Sequence, residues 1–207
     1  GEDGGVQRAP DRLGIMYTGP KAMSASISMN KVVSKDMLQG HGILLPRHVL
    51  VGVVPDLERR AIEIWQTFSQ PSIVKPLASG SSVGVTLAKN FTQFYDGIKQ
   101  AFQYGKDVVA EEFVTGKEAT VGAIENFRGQ DLYALPPVEI VLPKTCEIFD
   151  YEAKYGGGTE ERCPGAFSRD EVEKLEAAAK TVHEKLGLRH YSRTDFIVTP
   201  KGPYFLE

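Results

Sequence analysis

The sequence predicts an α+β protein built mostly of antiparallel sheets. Three observations predict it. Segments with helical spacing of apolar residues are interspersed with short strand-like runs, and successive strand-like runs are joined by tight turns such as TGK (115–117) and PKG (200–202). The chain of 207 residues, 42% hydrophobic and 25% charged, can also bury one large core or two small ones.

The elements follow in order. SASISMNKVVSKDMLQGHG reads as one helix stopped by Gly40 and Gly42. PDLERRAIEIWQTFS is a second helix, with Leu57, Ala61, Ile64, Trp65 and Phe68 along one face. SIVKP and VGVTLA are strands around the loop of KPLASGSSVGV, and NFTQFYDGIKQAFQY is a third helix. DVVAEEFV and KEATVGAIE form a hairpin about TGK, and LYALPPVEIV is extended. FDYEAKYGGGTEERCPGAF is a long polar loop, of the kind that usually carries function. SRDEVEKLEAAAKTVHEKLG is the clearest helix, with Ser168 and Glu171 as a capping box and Gly187 as its stop. RTDFIVT and PYFLE close the chain as a hairpin about PKG.

Composition excludes several functions. Lys+Arg 24 against Asp+Glu 27 gives a net charge of −3 without a basic block, so nucleic-acid binding is not expected. The longest apolar stretch, ILLPRHVLVGVVP, is interrupted by Pro, Arg and His and cannot span a bilayer. Cys146 and Cys163 form no CxxC pair, which points to a reducing cytosol rather than a disulfide or zinc framework. The scattered histidines (41, 48, 183 and 190) read as surface or cap residues. The opening GEDGG, with no initiator Met, and the ending PYFLE, in mid-strand, read as cuts inside a larger protein.

The closing hairpin carries the first chemistry. A three-residue loop with Pro first and Gly last fits a type I turn followed by a left-handed Gly. That register sets Thr199 opposite Pro203, Ile197 opposite Phe205, and Asp195 opposite Glu207, with Arg193 on the same face as Asp195. Two facing carboxylates repel unless a cation lies between them, and all-oxygen ligation points to Mg2+ or Mn2+. A surface ion-pair cluster with Arg193, or a carboxylate kept protonated, accounts for the hairpin equally well. Lys75, at a strand end, precedes the small-residue loop, whose amides and hydroxyls can turn toward phosphate; a solvated loop is the plain alternative. Cation, loop and carboxylates together are the parts needed to bind a nucleoside triphosphate, yet neither GxxxxGK[ST] nor GxGxxG occurs.

In shared order and spacing, GEDG, LGIMYTG, SMNKVVSK, IVKPLASGSSVGV, EEFVTGKE, LPPVEI, FDYEAKY, CPGAF, RTDF and YFLE resemble the D-alanine–D-alanine ligases of the ATP-grasp superfamily. The resemblance implies an ATP-grasp α+β fold whose two subdomains enclose ATP: residues 1–16 as the tail of an N-terminal domain, 17–111 as a central subdomain, and 112–207 as a C-terminal one. It implies Lys31 and Lys75 on the nucleotide phosphates, Glu111, Glu112 (by its backbone) and Val114 near adenine, and Glu118 on the ribose hydroxyls. It further implies Ser81 and Tyr155 placing substrate, Lys154 at the terminal phosphate, Arg193 on the reaction's developing charge, and Asp195 and Glu207 holding two Mg2+ (or Mn2+) ions. The activity so implied is ATP-dependent joining of two D-alanines through an acyl phosphate, for peptidoglycan synthesis. KPLASGSSVG and the loop about YEAKYGGG would close over the site.

The family's opening segment and its N-x-x-P-G-like stretch after Glu207 are absent from this sequence. A nucleotide-binding fragment without turnover, or another carboxylate–amine ligase of the superfamily, is therefore carried as an alternative. DYEAKY with Tyr155 resembles the D-alanine-specific branch, and the family suggests a cytoplasmic homodimer.

Overall fold

The computed structural model describes residues 3–80, 82–143, 146–148 and 158–207. Its chain divides into two units, one made of Gly1–Leu45, Thr115–Val141 and Glu160–Glu207, the other of Pro46–Val114 and Leu142–Thr159. Among the described residues no helix is long and apolar enough to cross a membrane.

The first unit is built on a six-stranded sheet. Its strands are β5 (Lys117–Phe127), β6 (Gln130–Ala134), β7 (Val138–Val141), β8 (Glu160–Arg162), β9 (Tyr191–Thr199) and β10 (Gly202–Phe205). They lie in the order β10-β9-β5-β7-β8, with β6 also on β5, and every pairing is antiparallel. Alternation along β5 and β9 turns Ala119, Val121, Phe196 and Val198 toward α6 (Arg169–Lys185). There they meet Leu175, Ala179 and Val182, with Leu38 of α3 (Lys31–Leu38) in the same core. The capping box of α6 is formed as its sequence predicts, Ser168 accepting from the Glu171 amide and Glu171 from the Ser168 amide. The short helices α1 (Arg8–Leu13) and α2 (Ala22–Met29) precede α3 in this unit.

The second unit is a four-stranded antiparallel sheet of order β1-β4-β2-β3, from β1 (His48–Val51), β2 (Ser72–Pro76), β3 (Thr86–Ala88) and β4 (Val108–Glu112). Helices α4 (Leu57–Thr67) and α5 (Phe91–Ala101) bury Ala61, Ile64, Phe94 and Ile98 against Val51, Val74, Val108 and Ala110. Trp65 packs against Phe94 with ring centroids 5.4 Å apart.

Four local expectations about the elements are corrected. The first predicted helix is two: the Asn30 side chain accepts from the Val32 and Val33 amides and starts α3 anew, which makes Lys31 its first residue. VGVTLA is strand only over Thr86–Ala88; Val83 and Gly84 lie in turns, and Gly84 has a φ of +72°. TGK is not a hairpin turn, because β4 already pairs with β1 and β2 while β5 pairs within the other sheet. A Cβ on Gly116 would come within 2.2 Å of the Val198 carbonyl oxygen, so this glycine serves a close approach of backbones. The β9–β10 loop has two residues rather than three. The Thr199 hydroxyl accepts from the Lys201 amide and donates to the Gly202 carbonyl, tightening the turn so that Thr199 faces Gly202 and Ile197 faces Tyr204.

His183 is a buried residue, not a surface or cap one: its Nδ1 lies 2.8 Å from the Ser192 hydroxyl and its Nε2 3.5 Å from Glu125. The His190 amide, and secondarily His183, hold the Glu125 carboxyl below the usual glutamate value of 4.5, against the opposing effect of burial. Because the folded group titrates below the unfolded one, its stabilisation is complete above the ordinary value and disappears as pH falls through the lowered one. Glu125→Gln should therefore melt earlier than the wild type at about pH 7, with the gap narrowing as pH falls below the ordinary glutamate value. Thermal melts across that range check this.

Candidate active site

In each sheet the face turned away from the helices carries charged residues named from the sequence. On the six-stranded sheet, β5 and β9 pair Glu118 with Ile197, Thr120 with Asp195, and Gly122 with Arg193, so these six share one face. Thr120 donates to Asp195 at 2.6 Å, and Arg193, with 67% of its side chain exposed, donates to the other oxygen of the same carboxylate at 3.1 Å.

Asp195 and Glu207 do meet, though not by the plain register expected. After the shortened turn the ladder would set Asp195 opposite Leu206. Instead the Asp195 amide donates to the Glu207 carbonyl at 2.8 Å while the Leu206 amide donates to the Asp195 carbonyl at 2.9 Å. Two residues of the returning strand thus lie against one of β9. This is a bulge, a device that re-aims a side chain where a ladder alone would not. Lys31, 6% exposed at the start of α3, places its ammonium 3.3 Å from the Glu207 carboxylate.

The Asn30 cap sets the point at which α3 begins and hence where Lys31 emerges. Asn30→Ala should cost about 1 kcal/mol and weaken any ligand that Lys31 contacts. Urea unfolding of the variant measures the first effect.

On the four-stranded sheet Lys75 pairs with Val109 and Ile73 with Glu111, so Lys75 and Glu111 are diagonal neighbours on one face, with His48 of β1 directly opposite Glu111. Their charged ends are 2.9 Å apart and both are buried, at 8% and 2% exposure. The Glu111 carboxylate is thus turned to Lys75. The Glu112 amide donates to the Arg47 carbonyl, and Val114 is half-buried just past β4. In the small-residue loop Ser79 donates to the Val83 carbonyl at 3.4 Å, and Ser82 has a φ of +54°. Ser81, Lys154 and Tyr155 lie outside the described residues.

Sequence reasoning missed Thr120, the Lys75–Glu111 pair and Lys35. Lys35 is fully buried one turn after Lys31, and the KxxxK spacing is the one trace it leaves in the sequence. Two carboxylates on one hairpin with lysine and arginine beside them form an oxygen donor set suited to a hard divalent cation. No cluster of three or more metal-ligating side chains occurs among the described residues.

The fold is that of the ATP-grasp ligases, with mixed helices and antiparallel sheets as in its structural neighbours. These include the VanG D-Ala:D-Ser ligase from Enterococcus faecalis, 27% identical with a TM-score of 0.86 over 100% of this chain and 59% of that one. They also include the D-alanine–D-alanine ligase from Bacillus anthracis, 30% identical with a TM-score of 0.81 over 100% of this chain and 64% of the other. Residues 22–207 match the family described as D-ala D-ala ligase C-terminus, and the chain belongs to that family.

Among curated relatives, the D-alanine–D-alanine ligase of Geobacter sulfurreducens is 33% identical over 207 residues, covering 100% of this chain. That of Halalkalibacterium halodurans is 35% identical over 203 residues, covering 98%. The chain spans 62% and 64% of the length of these two relatives.

Proposed function

We propose that this chain provides the nucleotide- and metal-binding part of an ATP-dependent ligase joining two D-alanine molecules into D-alanyl-D-alanine for peptidoglycan. The observation that carries the reading is the Asp195–Glu207 bulge flanked by Lys31 and Arg193, in a chain of this family. A likeness to a Bacillus anthracis ligase structure complexed with ATP, 26% identical with a TM-score of 0.79, supports ATP as the nucleotide. In this reading ATP and D-alanine are bound in the cytoplasm, consistent with the sparse cysteines.

The reaction has two steps. The carboxylate of one D-alanine attacks the γ-phosphorus of ATP, ADP departs, and an acyl phosphate remains. The amine of the second D-alanine then attacks the acyl carbon, and phosphate leaves the tetrahedral oxyanion. Lys31 and Lys75 neutralise phosphate oxygens, and Lys75 is held for that task by Glu111. Glu118 accepts from the ribose hydroxyls, while Glu112, through its backbone, and Val114 border the adenine. Arg193, oriented by Asp195, faces the charge that develops on the oxyanion. Asp195 and Glu207 would hold Mg2+, which when bound supplies positive charge against the phosphates. Ser81 and Tyr155 place substrate and Lys154 reaches the terminal phosphate, as the family resemblance implies.

The test is calorimetry of ATP binding with Mg2+, on the chain and on Glu118→Gln, with phosphate release measured on adding D-alanine. Binding that depends on Mg2+ and falls about tenfold in the variant is expected. A folded chain that binds no ATP refutes the reading. Replacing D-alanine by D-serine in the release assay addresses a second acceptor, a possibility that the likeness to VanG raises.

A further inference from the structure

Lys35 has no part in the mechanism above, yet it is fully buried. Lysines are almost never fully buried without dedicated partners. The ammonium of Lys35 donates to the Leu206 carbonyl at 3.1 Å and to the Lys31 carbonyl at 3.3 Å, and stands 5.7 Å from the centre of the Phe205 ring.

The Leu206 carbonyl belongs to the peptide unit that leads into Glu207. A peptide unit is planar, so holding its oxygen also sets the direction in which Glu207 leaves it. On the far side of Glu207 the Asp195 amide holds the next carbonyl. Glu207 is therefore fixed at the peptide before it and at its own main-chain oxygen. Helix α3 supplies two cations to this point: Lys31 reaches the Glu207 carboxylate and Lys35 reaches the backbone behind it.

We propose that Lys35 is a positioning residue for Glu207: its buried ammonium sets the Leu206–Glu207 peptide and so aims the Glu207 carboxylate at the divalent cation that it holds with Asp195. This rests on the reading of Asp195 and Glu207 as metal ligands. Lys35→Met fills nearly the same volume without a donor for the Leu206 carbonyl. The change leaves the Leu206 and Lys31 carbonyls without that donor, so some stability is lost and folding is checked before affinities are compared.

The experiment measures Mn2+ binding in the presence of ADP, from the EPR signal of free Mn2+, for wild type, Lys35→Met, Glu207→Gln and the double variant. ADP binding without metal is measured alongside by calorimetry, and circular dichroism confirms folding. The expected result is Mn2+ affinity about tenfold lower in Lys35→Met, metal-free ADP affinity within about twofold of wild type, and a double variant no weaker than Glu207→Gln alone. Unchanged Mn2+ affinity in Lys35→Met, with Glu207→Gln impaired, overturns the role of Lys35 and leaves the metal reading standing. An equal fall in Mn2+ and metal-free ADP affinity also overturns it, because Lys35 would then support only the fold. Wild type and Glu207→Gln that bind Mn2+ equally refute the metal reading itself and the proposal with it. If Lys35→Met does not fold, Lys35→Gln, whose shorter side chain does not span the same distance, is judged by the same outcomes.

Discussion

Lys75→Met is expected to destabilise the four-stranded unit by about 3 kcal/mol, because it removes the ammonium 2.9 Å from a carboxylate that is itself buried. Trp65, the sole tryptophan, lies in that unit's core against Phe94 and reports its unfolding in urea by fluorescence. The second half of the prediction is sharper. Lys75→Met/Glu111→Leu should regain most of the loss, since removing both charges abolishes the desolvation that one alone suffers. ATP binding would not return with stability, because the double variant still lacks the cation assigned to phosphate. A double variant as unstable as the single one would mean that Lys75 and Glu111 act separately.

Phe196→Ala should cost about 4 kcal/mol. Phe196 is fully buried, its ring 6.5 Å from that of Phe205 on the paired strand, and it follows Asp195 directly. The cavity would open beneath the β9–β10 hairpin. Far-UV circular dichroism in urea should record the loss of stability. Mn2+ affinity should fall too, even under conditions where the variant is folded, because the carboxylates lose the packed floor that holds them in place. Phe196→Leu, which restores part of the volume, should recover part of both effects. Full Mn2+ affinity in folded Phe196→Ala would show that the hairpin keeps its shape without the ring.

What could be read in the sequence was local. The capping box at Ser168, the amphipathic face of α4 and the proline–glycine turn before Tyr204 each lie within a few residues, and the structure has a helix, a helix and a hairpin there. The family resemblance rested on short motifs in order and reached the fold through them. What escaped was set by partners distant along the chain. Asn30 sits between two apolar stretches that continue one helical pattern, so only its own hydrogen bonds reveal the break. TGK looks like a hairpin until both edges of β4 are seen to be taken. Lys35 goes unnoticed and His183 reads as a surface or cap residue because the groups that receive them, Leu206 in one case and Glu125 and Ser192 in the other, are not their sequence neighbours.

The two-residue turn and the bulge have a joint consequence for how this hairpin can change. The turn shifts the ladder by one residue and the bulge shifts it back, so the spacing between the two acids is a difference of two errors that cancel. Neither can be edited alone. Drawing Gly202 out of the ladder into a three-residue turn would restore an ordinary ladder that sets Asp195 against Glu207 with no need of Leu206 as the extra residue, whereas deleting Leu206 with the turn unchanged would place Glu207 opposite Asp195 at the cost of the carbonyl on which Lys35 rests. Substitutions at positions 200–202 and at 206 should therefore be tolerated in compensating pairs more readily than singly, and a library varying both ends of the hairpin would display that dependence directly.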